Sequence, residues 1–141
     1  MSYFIPTTTN VTAQETACLF MNHVFMHHGI PSEVVSDCGP QFTSKFWGQV
    51  LKDLNIKRSL STSYHPQSDG QTERVNQILE QYLRCYVNNK QDNWADLLPM
   101  AQFAYNSQVH SSTLLSPFKV NYGFDPQWEP NYEDPHNNPQ S

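Results

Sequence analysis

The chain has 141 residues, 38% apolar and 13% aromatic, enough for one small core and too few for two well-formed domains. Eight basic against 13 acidic residues give a formal charge of −5, which excludes a broad basic footprint for nucleic acid. Cys18, Cys38 and Cys85 are far apart with no C-x-x-C pair, which excludes a zinc knuckle and a disulfide framework and points to reduced thiols.

Residues 3–7, Tyr-Phe-Ile-Pro-Thr, read as the end of a strand. Thr12 and Glu15 form a T-x-x-E capping box that opens a helix at about Ala13. Ala17, Phe20, Val24 and His27 share one face of it, and Gly29 followed by Pro31 ends it. His27 and His28 suit the negative end of the helix dipole. Glu33–Ser36 predicts a short buried strand that delivers Asp37 at its C-terminal end, where sheet-with-helix folds gather their sites. Thr43 or Ser44 caps the next helix, whose Trp47, Val50, Leu51 and Leu54 recur at i, i+3, i+4, i+7.

Lys57–Thr62 reads as a further strand, followed by the turn-rich stretch Tyr64–Gly70. A long helix is expected from about Gln71 to Asn88, with Val75, Leu79, Tyr82 and Tyr86 on its apolar side. Glu73, Gln77, Glu80 and Arg84 lie on a polar side, and Glu73 stands in the first turn, where the dipole favours a carboxylate. Asp92 caps another helix bearing Trp94, Leu97, Leu98, Ala101 and Tyr105, with a kink at Pro99. His110–Gly123 reads as irregular. Residues 125–141 hold four acids, Asp125, Glu129, Glu133 and Asp134, no Lys or Arg, and four prolines, so a disordered acidic tail is expected after a body at 1–124. That body carries 8 basic and 9 acidic groups, a charge of −1. The order of elements is that of an α/β layer architecture. No apolar run approaches membrane-spanning length and no basic-then-apolar leader opens the sequence, so a soluble intracellular chain is expected.

Asp37 and Glu73, with 35 residues between them, sit in runs rich in Gly, Pro, Gln and Asn, residues that shape backbone close to a ligand. Singly, Asp37 is a turn residue and Glu73 a solvated first-turn acid. As a pair, converging from a strand end and a helix start, they suit divalent ions for phosphoryl transfer on nucleic acid. Such a site wants a third acid from upstream, and residues 1–36 contain no Asp. Lys45, Lys57, Arg58 and Arg74 flank the pair in sequence, with Asp53 and Asp69 interspersed. His65, in a Tyr-His-Pro turn, reads either as structural or as a phosphate-orienting group.

Together these segments resemble the integrase catalytic core of gypsy-type LTR retrotransposons, relatives of retroviral integrases. The resemblance rests on Val35-Ser-Asp37, Gly39-Pro-Gln-Phe-Thr-Ser44, Tyr64-His-Pro-Gln67, Asp69-Gly-Gln-Thr-Glu-Arg-Val-Asn76, Leu98-Pro99, Phe103-Ala-Tyr-Asn106, His110-Ser-Ser-Thr113, Ser116-Pro-Phe118 and Tyr122-Gly123, and covers roughly residues 3–126. It implies an RNase H-like fold and a catalytic Asp, Asp, Glu triad that binds Mg²⁺ or Mn²⁺ and joins DNA 3′ ends to target DNA. Asp37 then corresponds to the second triad member and Glu73 to the third, both catalytic and metal-binding. Lys45, Gln67, Gly70, Arg74 and Asn76 become the candidate DNA contacts. DNA is the implied partner, alongside a possible homo-oligomer, with no membrane and no small-molecule substrate; a functional enzyme would act in the nucleus.

The family's first Asp has no counterpart here, so the core is expected to lack its first two strands, to bind metal weakly and to be inactive alone. Cys38 stands where relatives carry a basic or amide residue, and Gln77 and Glu80 stand where retroviral relatives carry lysines. The alternative reading is a domesticated non-catalytic module that binds nucleic acid or protein.

Overall fold

The computed structural model describes residues 1–61 and 70–127. The described residues divide into two compact units, one of residues 2–61 with 70–103 and one of residues 104–127 with Met1.

The first unit opens without a strand: residues 3–7 are irregular, and Phe4 N donates to Gln102 Oε1 at 2.9 Å. The strand expected there is not formed. Helix α1, Ala13–Phe20, begins as its capping box predicts, with Thr12 Oγ1 accepting from Glu15 N at 3.2 Å and Glu15 Oε2 from Thr12 N at 2.8 Å. A π-helical turn, Met21–Phe25, and a last turn α2, Met26–His28, come next before Gly29 stops the chain at φ +78. The π turn adds a residue to the helical repeat and rotates the last turn about the helix axis. Phe25 is therefore the buried residue, and His27, expected on the core face, is exposed.

Strand β1, Glu33–Ser36, and strand β2, Lys57–Leu60, pair in parallel, with Glu33 opposite Lys57 and Ser36 opposite Leu60. Among the described residues these two make the whole sheet. β1 is not buried throughout as expected: Val34 is enclosed while Val35 is 50% exposed. Of the strand expected over Lys57–Thr62, Ser61 lies beyond β2 and Thr62 lies outside the described residues. The strands are joined through α3, Pro40–Thr43, a short turn that no sequence pattern suggested, and α4, Lys45–Asp53. Ser44 is the cap of α4, its Oγ accepting from Trp47 N at 3.1 Å.

The amphipathic stripe of α4 makes the core. Trp47 and Leu51 are each 1% exposed and pack with Ala17, Phe25, Val34 and Ile56. Phe20 and Phe42 meet the Trp47 ring edge-on, with centroids 5.2 Å and 5.7 Å away. Edge-to-face placement suits the aromatic quadrupoles and adds to the area buried.

Helix α5, Gly70–Tyr86, carries its expected polar side in solvent. Val75, Leu79 and Tyr82 are half-buried, but Tyr86 is 62% exposed and leaves the apolar side assigned to it. Asp92 is not a helix cap: it accepts from Asn88 Nδ2 at 2.6 Å within the connection, and α6 begins at Trp94, directly after Asn93. Pro99 lies inside continuous α6, Trp94–Ser107, in which Leu98 and Ala101 are buried.

In the second unit the irregular segment expected at His110–Gly123 contains helix α7, Pro117–Tyr122. Its signals were in the sequence: Ser116 at the N-cap, Pro117 at the first helical position, and Gly123 in the left-handed C-cap at φ +84. Asn106 is fully enclosed, with Ser116 and Phe118 nearly so. The tail beyond residue 127, with Glu129, Glu133 and Asp134, lies outside the described residues.

Candidate functional site

Asp37 comes directly after the last residue of β1, and its position is built locally. Its Oδ1 accepts from Gly39 N at 2.8 Å, closing an Asx turn. Gly39 is not in a left-handed conformation, so freedom of φ is not the reason for glycine there. An added Cβ would lie 2.9 Å from Asp37 Oδ1 and 3.1 Å from Gln41 Oε1, the ends of two side chains that would have to move aside. Pro40 then starts α3 and fixes the direction in which the chain leaves the site. Just beyond the neighbouring strand, Ser61 N donates to Ser36 O at 2.7 Å, and Cys38 Sγ donates to Ser61 O at 3.3 Å. These ties hold the segments after β1 and β2 side by side. Asp37 itself is exposed and keeps its second oxygen free of any protein donor among the described residues.

Glu73 lies in the first turn of α5 and is exposed, as are Arg74 and Asn76. Gly70 is the first residue of that helix. Lys45 is the first residue of α4 and is exposed. Gln67 and His65 lie outside the described residues, as does the rest of the connection from β2 to α5.

Among the described residues no group of three or more His, Cys, Asp or Glu side chains is placed to hold a metal ion. Magnesium takes about six oxygens in near-octahedral geometry, and Asp37 has already committed one to Gly39 N–H. The two carboxylates have suitable hard-oxygen chemistry, but by themselves they do not make a site for two ions.

Among the described residues, Glu33 is an acid whose affinity for protons is clearly shifted. The Ser59 hydroxyl, and then Lys57 at 3.3 Å, hold its carboxyl below the usual carboxylate range. It stands at the far end of β1 from Asp37, roughly 13 Å away at 3.3 Å per residue. Glu33 is thus a strand-pairing acid rather than a third member of the Asp37 site. Sequence reasoning missed it because its role depends on the register of β1 against β2. It also missed the close approach at Gly39, for which the Asp-x-Gly spacing was the available signal.

No family model matches the chain. The Tf2-3 polyprotein of Schizosaccharomyces pombe is 35% identical over 130 residues, covering 92% of this chain and 10% of the polyprotein, and the Tf2-4 polyprotein matches equally. The chain thus spans about a tenth of the length of these curated relatives. Among solved structures, a chain of the simian T-cell lymphotropic virus intasome with the PP2A regulatory subunit B56 gamma superposes with a TM-score of 0.68. It is 26% identical over 87% of this chain and 44% of that one. The catalytic core domain of BIV integrase gives a TM-score of 0.60 at 24% identity, over 77% of this chain and 70% of that one. The HTLV-2 integrase catalytic core domain, solved in complex with magnesium in a trimeric form, gives 0.54 at 22% identity, over 77% and 69%. Its α/β architecture being of the RNase H-like integrase type, the chain belongs to the integrase catalytic cores of gypsy-type LTR retrotransposons.

Proposed function

We propose that the chain serves DNA integration, as part of a metal-dependent centre that joins DNA 3′ ends to target DNA. The observation that carries this reading is the Asp37 turn. An exposed carboxylate stands at the C-terminal end of a parallel strand, with one oxygen pinned by Gly39 and the other open. Glu73 supplies the second carboxylate from the first turn of α5, and both serve as ligands for Mg²⁺ or Mn²⁺. Lys45, Arg74 and Asn76 contact DNA, together with Gln67 and Gly70. Integration places the work in the nucleus, and the trimeric form of the HTLV-2 core supports a homo-oligomer.

The chain alone is inactive in this reading. Residues 1–36 contain no Asp, and no third acid joins the pair among the described residues. No helix among the described residues is long and apolar enough to cross a membrane.

The test is an oligonucleotide strand-transfer assay with Mn²⁺. It compares the chain alone with the chain extended by the Tf2-3 sequence that flanks the matched stretch. The extended chain is expected to join ends and to fall to background on Asp37→Asn or Glu73→Gln, while the chain alone joins none. Robust joining by the unextended chain, lost on Glu73→Gln, overturns the inactivity. Joining by the extended chain that survives both substitutions overturns the site.

A further inference from the structure

An open groove of about 530 Å³ runs beside α4 and the start of β2, lined by Ser32, Gly48, Lys52, Asn55, Lys57 and Arg58 among others. Because β1 and β2 are parallel, the end of the sheet at which Lys57 opens β2 is opposite to the end beyond which Asp37 lies.

Three of the chain's 8 basic residues meet in this groove, which matters in a molecule with no basic surplus. Lys57 is neutralised by Glu33 at 3.3 Å. Lys52 and Arg58 have no carboxylate partner among the described residues. Lys52 lies in the last turn of α4, where the helix dipole alone accounts for a cation. Arg58 has no such explanation. Its guanidinium lies on the N-terminal half of α4, where Nη1 donates to Ser44 O over a long 3.5 Å, and a Cβ on Gly48 would come within 2.7 Å of that nitrogen. Glycine inside a helix costs about 1 kcal/mol relative to alanine. At Gly48 it opens the space that lays the Arg58 fork on the helix with most of its donors free.

Two unneutralised cations outweigh the roughly half charge at the C-terminal end of the helix, so the groove favours an anion. A guanidinium fork matches phosphate oxygens, and the Ser32 hydroxyl and Asn55 amide are neutral donors of the kind that accompany it. We propose that this groove is a second contact for the DNA backbone, seated on Arg58 and Lys52 beside α4 and the start of β2. It rests on the integration reading only for the identity of the phosphate carrier.

The experiment measures binding of the full chain to a fluorescein-labelled DNA duplex by anisotropy over a range of salt concentrations. Arg58→Gln and Lys52→Gln are each expected to weaken binding several-fold and alike on unrelated sequences. The double variant should lower the slope of log K against log salt by about two. Gly48→Ala removes no charge but displaces the Arg58 head, and should weaken binding as Arg58→Gln does without lowering the melting temperature. Arg84→Gln, on α5, should change little.

Groove variants that bind as the parent does, while Lys45→Gln or Arg74→Gln weaken binding, overturn the groove and leave the integration reading standing. Amide spectra of the same chain titrated with sodium pyrophosphate form the second arm. Shifts at Gly48 and Lys52 support the groove, and an absence of shifts with pyrophosphate and duplex alike overturns it. Strand transfer by the extended chain reads the carboxylates independently of either result.

Discussion

Gly39 gives Asp37 both a hydrogen bond and the space to accept it: its N–H lies 2.8 Å from Asp37 Oδ1, and an added Cβ would lie 2.9 Å from the same oxygen. The threatened atom is the far end of a side chain, so the fold can accommodate a methyl group by moving the carboxylate. Gly39→Ala is therefore expected to change the melting temperature by only a few degrees, consistent with ~1 kcal/mol or less. The Asp37 carboxyl carbon should shift clearly in its NMR spectrum. An unmoved Asp37 signal would show that the turn does not depend on the missing side chain.

Trp47 is the centre of the core and also carries an unmet hydrogen-bonding cost. Its ring is 1% exposed and flanked by Phe20 and Phe42, yet its Nε1–H is buried with no hydrogen-bond partner among the described residues. Trp47→Ala should destabilise by about 3–5 kcal/mol through lost burial and a cavity. Trp47→Phe loses less volume and also relieves an orphaned donor worth about 1–3 kcal/mol. Its net cost should be close to 1 kcal/mol, read from urea midpoints at unchanged m-value. A phenylalanine variant as unstable as the alanine one would mean that the indole N–H has a partner in solution.

Local chemistry made much of this fold legible. The Thr12–Glu15 capping box, the Ser44 cap and the Trp47–Leu54 stripe each depend on neighbours within a few residues, and each is found where the pattern puts it. Errors arose where geometry is set by a small departure or by a distant partner. The π turn at Met21–Phe25 exchanges His27 for Phe25 on the core face, and no period in the sequence announces it. The helix Pro117–Tyr122 was missed although Ser116, Pro117 and Gly123 mark both its ends, because six residues are too few to show periodicity. For the carboxylate site, the Asp37 turn can be read from Asp-x-Gly alone, whereas the pairing of Glu33 with Lys57 and the seating of Arg58 over Gly48 require the register of β1, β2 and α4.

Ser116 serves two partners in the second unit. Its Oγ accepts from Lys119 N at 2.9 Å and its hydroxyl donates to the Asp125 carboxylate, while the residue is only 2% exposed. Ser116→Ala removes the cap of α7 and should cost about 1–2 kcal/mol. Hydrogen exchange at the Lys119 amide should accelerate accordingly. Ser116→Asp retains an acceptor for that amide but sets two carboxylates against each other, so it should rescue less than Ser116→Thr. Unchanged exchange in the alanine variant would show that α7 is held by Phe118 packing alone.

The acid limb of stability should report Glu33. Its carboxyl is held below the usual range by Ser59 and Lys57, so the folded state binds that proton less readily than the unfolded chain does. By linkage, this contribution is fully present above the ordinary Glu value of ~4.3. It is lost as pH falls toward and through the lowered folded value. Glu33→Gln should flatten the pH dependence of the urea midpoint below pH ~4.3 and leave the neutral-pH slope unaltered. Lys57→Met should flatten it only partly, because the Ser59 hydrogen bond remains and is the largest single cause. Both side chains are open to solvent, so added salt should shrink the Lys57 part of the effect and spare the Ser59 part. A Glu33→Gln profile that tracks the parent through the acid range would show that the pair in strands β1 and β2 does not persist in solution.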